Sequence, residues 1–384
     1  MERIDRKRVV VVTNSSNYEP RAEQVAAYFR REGHDVTVIE SDFNHREKKK
    51  IKRERGGYIY LNTIPYYKNV SVRRLYSHYN FSKKFFKEVQ KRSIDLLYVL
   101  VPANSLVKFA ALYKRVHPSV KLIYDIIDLW PESLPLKKVE NVYPVQIWRN
   151  LRNNYLGEAD LVITECKLYQ TILQKPLEKL EVRTLYWPKN EIIKVKLPEL
   201  LTEKELQICY IGSINNIIDI SFIIGLLEQI QLRKKVTLHI IGDGEKRAKL
   251  LEELKKAEIV TQYYGAVYDD KIKNDIMRRC HYGLNIMKED VRVGLTMKSV
   301  EYFAAGLPLI NNIKGDTWDF VEMEEVGVNF KPEILDETIE EIVCKQSDME
   351  RHIRARALYE NLFSPWAFDK KIEEYIKPLV DNIE

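Results

Sequence analysis

Short apolar runs alternate along the chain with longer segments whose apolar residues recur every three or four positions. The first spacing suits buried strands and the second suits amphipathic helices. VVVVT (9–13) reads as a strand, and PRAEQVAAYFRREG (20–33) as a helix that stops on a glycine. DVTVIE (35–40) and YIYLNTIPY (58–66) read as strands, followed by the helix SHYNFSKKFFKEVQKR (77–92). DLLYVLVP (95–102), SLVKFAALYKRVHP (105–118) and KLIYDII (121–127) continue as strand, helix, strand. After DLWPESLP come the helix PVQIWRNLRNNYLGEA (144–159) and the strand LVITE (161–165). Residues 190–205, NEIIKVKLPELLTEKE, raise the charge and carry a proline, as a domain boundary does. The alternation then restarts with LQICYIG, ISFIIGLLEQIQ, VTLHIIGDG and EKRAKLLEELKKA. VTQYYGAV, DKIKNDIMRRC and YGLNIM follow, and the chain ends in helices.

Regular alternation of strand and helix predicts parallel sheets covered by helices on both faces. Two such sets predict two domains, as does a length of 384 residues. In open parallel sheets ligands sit beyond the carboxyl ends of the strands, so the cleft between two such domains is the expected site.

Composition narrows the class. The chain is 45% hydrophobic and 31% charged, as in soluble globular proteins. Cys166, Cys209, Cys280 and Cys344 show no metal-ligand spacing, which argues against a structural zinc or a disulfide framework. No metal site is expected. The N-terminus lacks the long apolar region of a signal peptide, and no run approaches the roughly 18–20 apolar residues of a membrane span. A cytoplasmic location is expected, with the inner face of the cell membrane as a second address. Residues 1–100 hold 22 Lys/Arg against 12 Asp/Glu, a net of +10, whereas the whole chain is +6. The densest run is REKKKIKRER (46–55). It reads either as a solvated loop or as an attraction to anionic lipid headgroups. No nucleic-acid partner is expected, because no RNP or KH signature accompanies the charge.

Two segments carry candidate chemistry. IIGDGEKRAKLLEEL places Gly242 and Gly244 between a buried strand and a helix, where a backbone can approach a ligand. It lacks the three spaced glycines of a dinucleotide fingerprint, and no P-loop occurs. GLTMKSVEYFAAGLPLI (294–310) reads as a helix capped by Thr296 and stopped by Gly306 and Pro308. Lys298 lies in its first turn, where a cation is unfavourable for the helix itself. A bound phosphate would explain that placement. Lys298 and Glu301 share a face at i, i+3. They read either as a surface ion pair or as a ligand pair, the lysine for a diphosphate and the glutamate for ribose hydroxyls.

LTMKSVEYFAAGLPLI resembles the nucleotide-sugar segment of the family 4 glycosyltransferases, which have the GT-B fold. Lys298, Glu301, Tyr302, Ala304, Gly306 and Pro308 fit that pattern in register. REGHDVTVI, LIYDIIDLWPES, CYIGSI, LHIIGDGEKRAKL, YYGAVYDDKI and FSPWAFDKKIEEY resemble other parts of the family in the expected order. The resemblance implies two Rossmann-like, doubly wound parallel-sheet domains. Residues 1–195 would bind the acceptor and 196–365 the nucleotide sugar, with a last helix, about 366–384, returning to the first. It implies a retaining, metal-independent transfer of a hexosyl unit from a nucleotide-diphosphate sugar, with UDP as the expected carrier, to an acceptor hydroxyl. Surface-polysaccharide or glycoconjugate synthesis is the implied setting, with a glycan or lipid-linked acceptor. No cofactor is implied beyond that co-substrate.

The implied donor residues are Gly212, Ser213, Gly242, Gly244, Arg292, Gly294, Thr296, Lys298 and Glu301. Asp128, Lys298 and Glu301 would serve catalysis, and Arg21, Asp128 and Glu132 would face the acceptor or sugar. Three positions depart from the pattern. Val293 stands where many relatives have a first glutamate, and Ile127 where they have a histidine. GSINNIIDI lacks the usual cation pair. These departures keep open a second reading, a catalytically inactive GT-B module that binds glycan or partners an active transferase. A nucleotide-sugar epimerase of the same architecture is a third. Oligomeric state is not legible.

Overall fold

The computed structural model describes residues 6–45, 47–68, 71–101, 103–132, 143–189 and 203–383. The chain divides into two compact units: Met1–Trp187 with Asp369–Glu384, and Pro188–Phe368. The boundary expected at 195/196 lies outside the described residues.

In the first unit the strands are β1 (Arg8–Thr13), β2 (Asp35–Ser41), β3 (Phe43–Asn44), β4 (Lys49–Lys50), β5 (Tyr58–Leu61), β6 (Leu96–Leu100), β7 (Lys121–Ile126), β8 (Leu161–Thr164) and β9 (Val182–Thr184). The helices are α1 (Glu19–Arg31), α2 (Val72–Val89), α3 (Asn104–Val116), α4 (Tyr143–Asn153), α5 (Lys167–Ile172) and α6 (Gln174–Leu177). Seven strands form one parallel sheet in the order β5-β2-β1-β6-β7-β8-β9. The order reverses between β1 and β6, which makes that point a ligand crevice by topology. Val10, Val12, Leu97, Val99, Leu122 and Tyr124 pack against Phe81, Phe85, Leu106 and Ala110 of the helices. Val9, Val11, Leu96, Tyr98 and Ile123, on the opposite face, are buried as well, and burial on both faces is why these strands read as apolar runs. YIYLNTIPY pairs only through Leu61, where the ladder ends. The hairpin β3–β4 is antiparallel and separate.

The second unit holds β10 (Leu206–Ile211), β11 (Val236–Ile241), β12 (Val260–Gly265), β13 (Tyr282–Asn285), β14 (Leu309–Asn311) and β15 (Gly327–Asn329). Its helices are α7 (Ile220–Gln231), α8 (Arg247–Lys256), α9 (Asp270–Met277), α10 (Met297–Ala304), α11 (Asp316–Met323), α12 (Leu335–Cys344) and α13 (Met349–Leu362). The last helix, α14 (Pro365–Asp381), begins in the second unit and continues in the first. The sheet is parallel, ordered β12-β11-β10-β13-β14-β15, and reverses between β10 and β13. The predicted fold class therefore holds. Among the described residues no helix is long and apolar enough to cross a membrane.

Three of the seven cations of the basic run have carboxylate partners among the described residues. Arg53 pairs with Glu19 at 2.6 Å, Arg55 with Glu23 at 2.7 Å and Lys50 with Asp42 at 3.3 Å. Exposed pairs of this kind contribute at most about 1 kcal/mol each. They do, however, tie down part of the positive charge that the sequence alone suggests.

Candidate functional site

In the second unit, β13, β14 and β15 each end on asparagine, and the parallel register aligns Asn285, Asn311 and Asn329. Buried amides must find partners, and here they find one another. Asn285 donates to Asn311 at 2.8 Å, Asn311 to Asn329 at 2.8 Å, and Asn329 to the Trp318 carbonyl at 2.9 Å. The remaining Asn285 oxygen accepts from Thr296 Oγ1 at 3.0 Å. That contact fixes Thr296, whose Oγ1 accepts from the Ser299 amide at 3.1 Å and caps α10. The helix start is thus tied to three strand ends. Its first amides and the positive end of its dipole face the crevice side of the sheet.

Lys298 projects from this first turn. Its Nζ lies 4.7 Å from the centre of the Tyr210 ring. The Tyr210 hydroxyl donates to Ser213 O at 2.9 Å, which shapes the turn after β10. Lys298 Cε stands 4.0 Å from the place a Cβ would occupy on Gly212, so the lysine lies over that turn. Among the described residues no carboxylate pairs with it. Burial lowers its pKa to about 8.

The i, i+3 surface pair read as one option for Lys298 and Glu301 does not form. Glu301 pairs instead with Lys273 at 2.6 Å and Lys189 at 3.3 Å, and Lys273 also holds Asp270 at 2.5 Å. Burial works against the Lys273 charge, but Asp270 and Glu301 outweigh it and its pKa is raised. Burial likewise raises the Asp270 pKa, and Lys273 and Lys189 more than reverse this. Both lysine contacts on Glu301 fall on Oε1. A carboxylate has about four acceptor directions, so Oε2 keeps capacity for hydroxyl donors.

Gly242 and Gly244 have a reason of their own. A Cβ on Gly242 would stand 1.9 Å from Gly212 O, and one on Gly244 would stand 2.3 Å from Ile214 O. The turns after β10 and β11 touch backbone to backbone, with Ile214 N donating to Asp243 O at 3.0 Å. The glycines are required by that contact whatever lies above it. Gly294 O accepts from both the amide and the hydroxyl of Thr317 at 2.8 Å, which anchors the segment carrying Arg292. Lys288 N donates to Ile217 O at 2.9 Å and joins that segment to the turn after β10. Gly212, Ser213, Gly242, Gly244, Thr296 and Lys298 therefore gather where the strand order reverses.

The first unit treats its predicted residues differently. Arg21 is fully buried and grips Asp125 at 2.7 and 2.9 Å, with a further bond to Leu185 O at 2.9 Å. Tyr98 OH donates to the same Asp125 at 2.7 Å. Glu132 is also buried, against Arg152 at 2.6 Å and Arg149 at 3.0 Å. Arg21 and Glu132, expected to face the acceptor or sugar, are core ion pairs here. A fully buried guanidinium is stable only when its charge is matched, and Asp125 matches it. Asp128 is half-buried and accepts from Tyr18 OH at 3.0 Å, which holds it at the carboxyl end of β7. Ile127 is buried.

Sequence reasoning missed Lys189, Lys273 and Asp270, which lie far from Glu301 along the chain and give no local signal. It also missed the asparagine ladder, although YGLN, LIN and GVN each end a strand on the same residue.

Comparison with known proteins agrees with this geometry. Residues 205–345 match the model of the glycosyl transferases group 1 family. The match spans most of the second unit and is a likeness to that family over that segment. Sucrose-phosphate synthase from Thermosynechococcus elongatus superposes with a TM-score of 0.69 at 13% identity, over 98% of this chain and 100% of that one. The lipopolysaccharide outer core galactosyltransferase WaaB gives 0.67 at 13% identity, over 97% and 99%. HepE from Anabaena, in complex with UDP and glucose, gives 0.63 at 13% identity, over 97% and 100%. At these identities the likeness is one of fold, and the fold is GT-B. No curated protein matches the sequence. The resemblance to glycosyltransferases read from LTMKSVEYFAAGLPLI holds, and family and fold together support glycosyl transfer.

Proposed function

We propose that the protein is a retaining, metal-independent hexosyltransferase. It moves a sugar from a nucleotide-diphosphate donor, with UDP as the carrier, to an acceptor hydroxyl in polysaccharide or glycoconjugate synthesis. The observation that carries this reading is Lys298. It is a half-buried cation with no carboxylate partner among the described residues, at the capped start of α10. A departing diphosphate gains negative charge, and donors already fixed in place stabilise it without reorganising. Glu301, held by Lys273, accepts from the donor ribose through Oε2. Asp128, oriented by Tyr18, serves the sugar or the acceptor. HepE is described with UDP and with UDP-glucose, which supports the choice of carrier.

A panel of UDP-, GDP- and TDP-sugars, read by thermal shift and by donor hydrolysis with EDTA present, tests the reading. Stabilisation by one nucleotide class with hydrolysis is expected, and no stabilisation by any nucleotide defeats it. A second reading, binding without transfer, draws on Arg21 and Glu132 being committed to the core and on Val293 and Ile127. Stabilisation without turnover towards any acceptor would favour it. The proposal also sets the acceptor near an anionic membrane of the cytoplasmic face, supported by the exposed Tyr67, Val72 and Tyr76. Flotation with anionic liposomes, lost at high salt, is the expected result.

A further inference from the structure

The first unit holds a second concentration of positive charge that glycosyl transfer as described does not use. The β3–β4 hairpin turns through His45 and Lys48, and Lys48 adopts a left-handed backbone with φ of 56°. A non-glycine residue held there signals an over-determined turn. The turn places Lys48 Nζ 3.3 Å from His45 Nδ1 and 5.3 Å from the centre of the Tyr66 ring. Arg74, near the start of α2, lies 5.8 Å from the same ring and 5.2 Å from the Trp130 ring. His45 in turn bonds the Tyr66 hydroxyl at 2.9 Å. Two cations and an imidazole thus converge on one aromatic wall. Burial and the Arg74 charge together lower the Lys48 pKa.

A separate observation concerns the buried groups behind this wall. Trp130 and Trp148 are 7% and 5% exposed, their rings are 6.0 Å apart, and neither indole N–H has a hydrogen-bond partner among the described residues. His78 is 3% exposed, and its Nδ1 is likewise without a partner among the described residues. Arg74 Nε stands 3.5 Å from His78 Nε2, so that nitrogen accepts and Nδ1 carries the proton. These three orphaned groups are donors, and beside them the Asn104 Oδ1, whose amide nitrogen donates to the Trp130 and Trp148 carbonyls at 3.1 and 3.0 Å, is an orphaned acceptor. Buried donors without acceptors are rare and call for a missing partner. Beside two cations the fitting partner is an oxyanion.

We infer that His45, Lys48 and Arg74, with the Trp130 and Trp148 indoles, form a binding site for a phosphate or diphosphate group. That this anion belongs to the acceptor rests on the glycosyl-transfer reading. The anion site itself does not depend on that reading. Two sources share the chemistry, a prenyl diphosphate and a sugar phosphate.

The test uses the full chain carrying Lys298→Met, so that the second unit's own phosphate site is weakened. Inorganic pyrophosphate is titrated by thermal shift and calorimetry. Retained binding is expected, weakened roughly tenfold or more by Arg74→Gln and by Lys48→Gln. The two variants guard against a folding defect in either one. Loss of all pyrophosphate binding in Lys298→Met alone, or binding indifferent to both further variants, overturns the inference. Farnesyl diphosphate and glucose 6-phosphate then identify the source, since the matching one binds more tightly than pyrophosphate. Failure of both to exceed it marks an adventitious ion only, and that also overturns the acceptor assignment. The donor reading fails separately, if Lys298→Met leaves UDP binding unchanged.

Discussion

Two cations, Arg21 fully buried in the first unit and Lys298 half-buried in the second, have opposite fates. Arg21 sits beneath the first sheet with its charge matched by Asp125, and that carboxylate is bonded again by Tyr98. Lys298 sits at the reversal point of the second sheet over the face of Tyr210, with no carboxylate against it among the described residues. Both residues were candidates from the sequence, and both are removed from water. The difference is the local charge balance. A matched buried charge is part of the structure, whereas an unmatched one leaves a deficit that a ligand can fill.

The largest expected effect tests the matched side. Arg21→Ala should cost about 3–5 kcal/mol of stability, because it strands the buried Asp125. Urea unfolding followed by fluorescence measures this, and an unchanged midpoint would return Arg21 to the ligand candidates. Replacing both partners by apolar residues should recover most of the loss.

On the unmatched side, Lys298→Met should weaken UDP binding by about 1.5–3 kcal/mol, the range for a hydrogen bond to a charged group. The stability of the free protein should not fall, since the substitution removes a poorly solvated charge. Calorimetry and thermal unfolding on one preparation separate the two. A fall in both would make Lys298 structural and erase the contrast.

The same contrast has a pH signature. The Lys298 pKa is lowered to about 8 in the free protein, so the cost of holding the charge is present below pH 8 and is relieved as pH rises above it. A bound diphosphate favours the charged form. Affinity should therefore decline as pH rises through about 8, and binding near pH 8.5 should take up protons. Titrations in two buffers of different ionisation enthalpy read that uptake, and Lys298→Met should abolish it.

The smallest effect is expected at Glu301, an intermediate case whose charge is matched by lysines while Oε2 remains available. Glu301→Gln should weaken nucleotide binding only a few-fold, about 1 kcal/mol. A much larger loss of stability without ligand would place it with Arg21.

The strand and helix pattern was legible almost throughout. ISFIIGLLEQIQ coincides with α7, and the Thr296 cap was predicted from its place before an apolar turn. Such features depend on residues a few positions apart, and sequence spacing carries them. YIYLNTIPY was read too long because strand length is set by the partner edge, and β5 pairs with β2 only from Tyr58 to Leu61. The pairing of Arg53 and Arg55 within the run 46–55 was not legible because their carboxylates, Glu19 and Glu23, lie on α1.

By itself the sequence determined the two parallel-sheet domains, the capped helix with a lysine in its first turn, and the resemblance to glycosyltransferases. Each follows from local spacing and local chemistry. The tertiary structure alone decided which charged residues are matched. Arg21 met Asp125, Glu132 met Arg152, and Glu301 met Lys273 and Lys189, while Lys298 met an aromatic face. Charge balance at a buried point depends on every element within a few ångströms, and those elements come from distant parts of the chain.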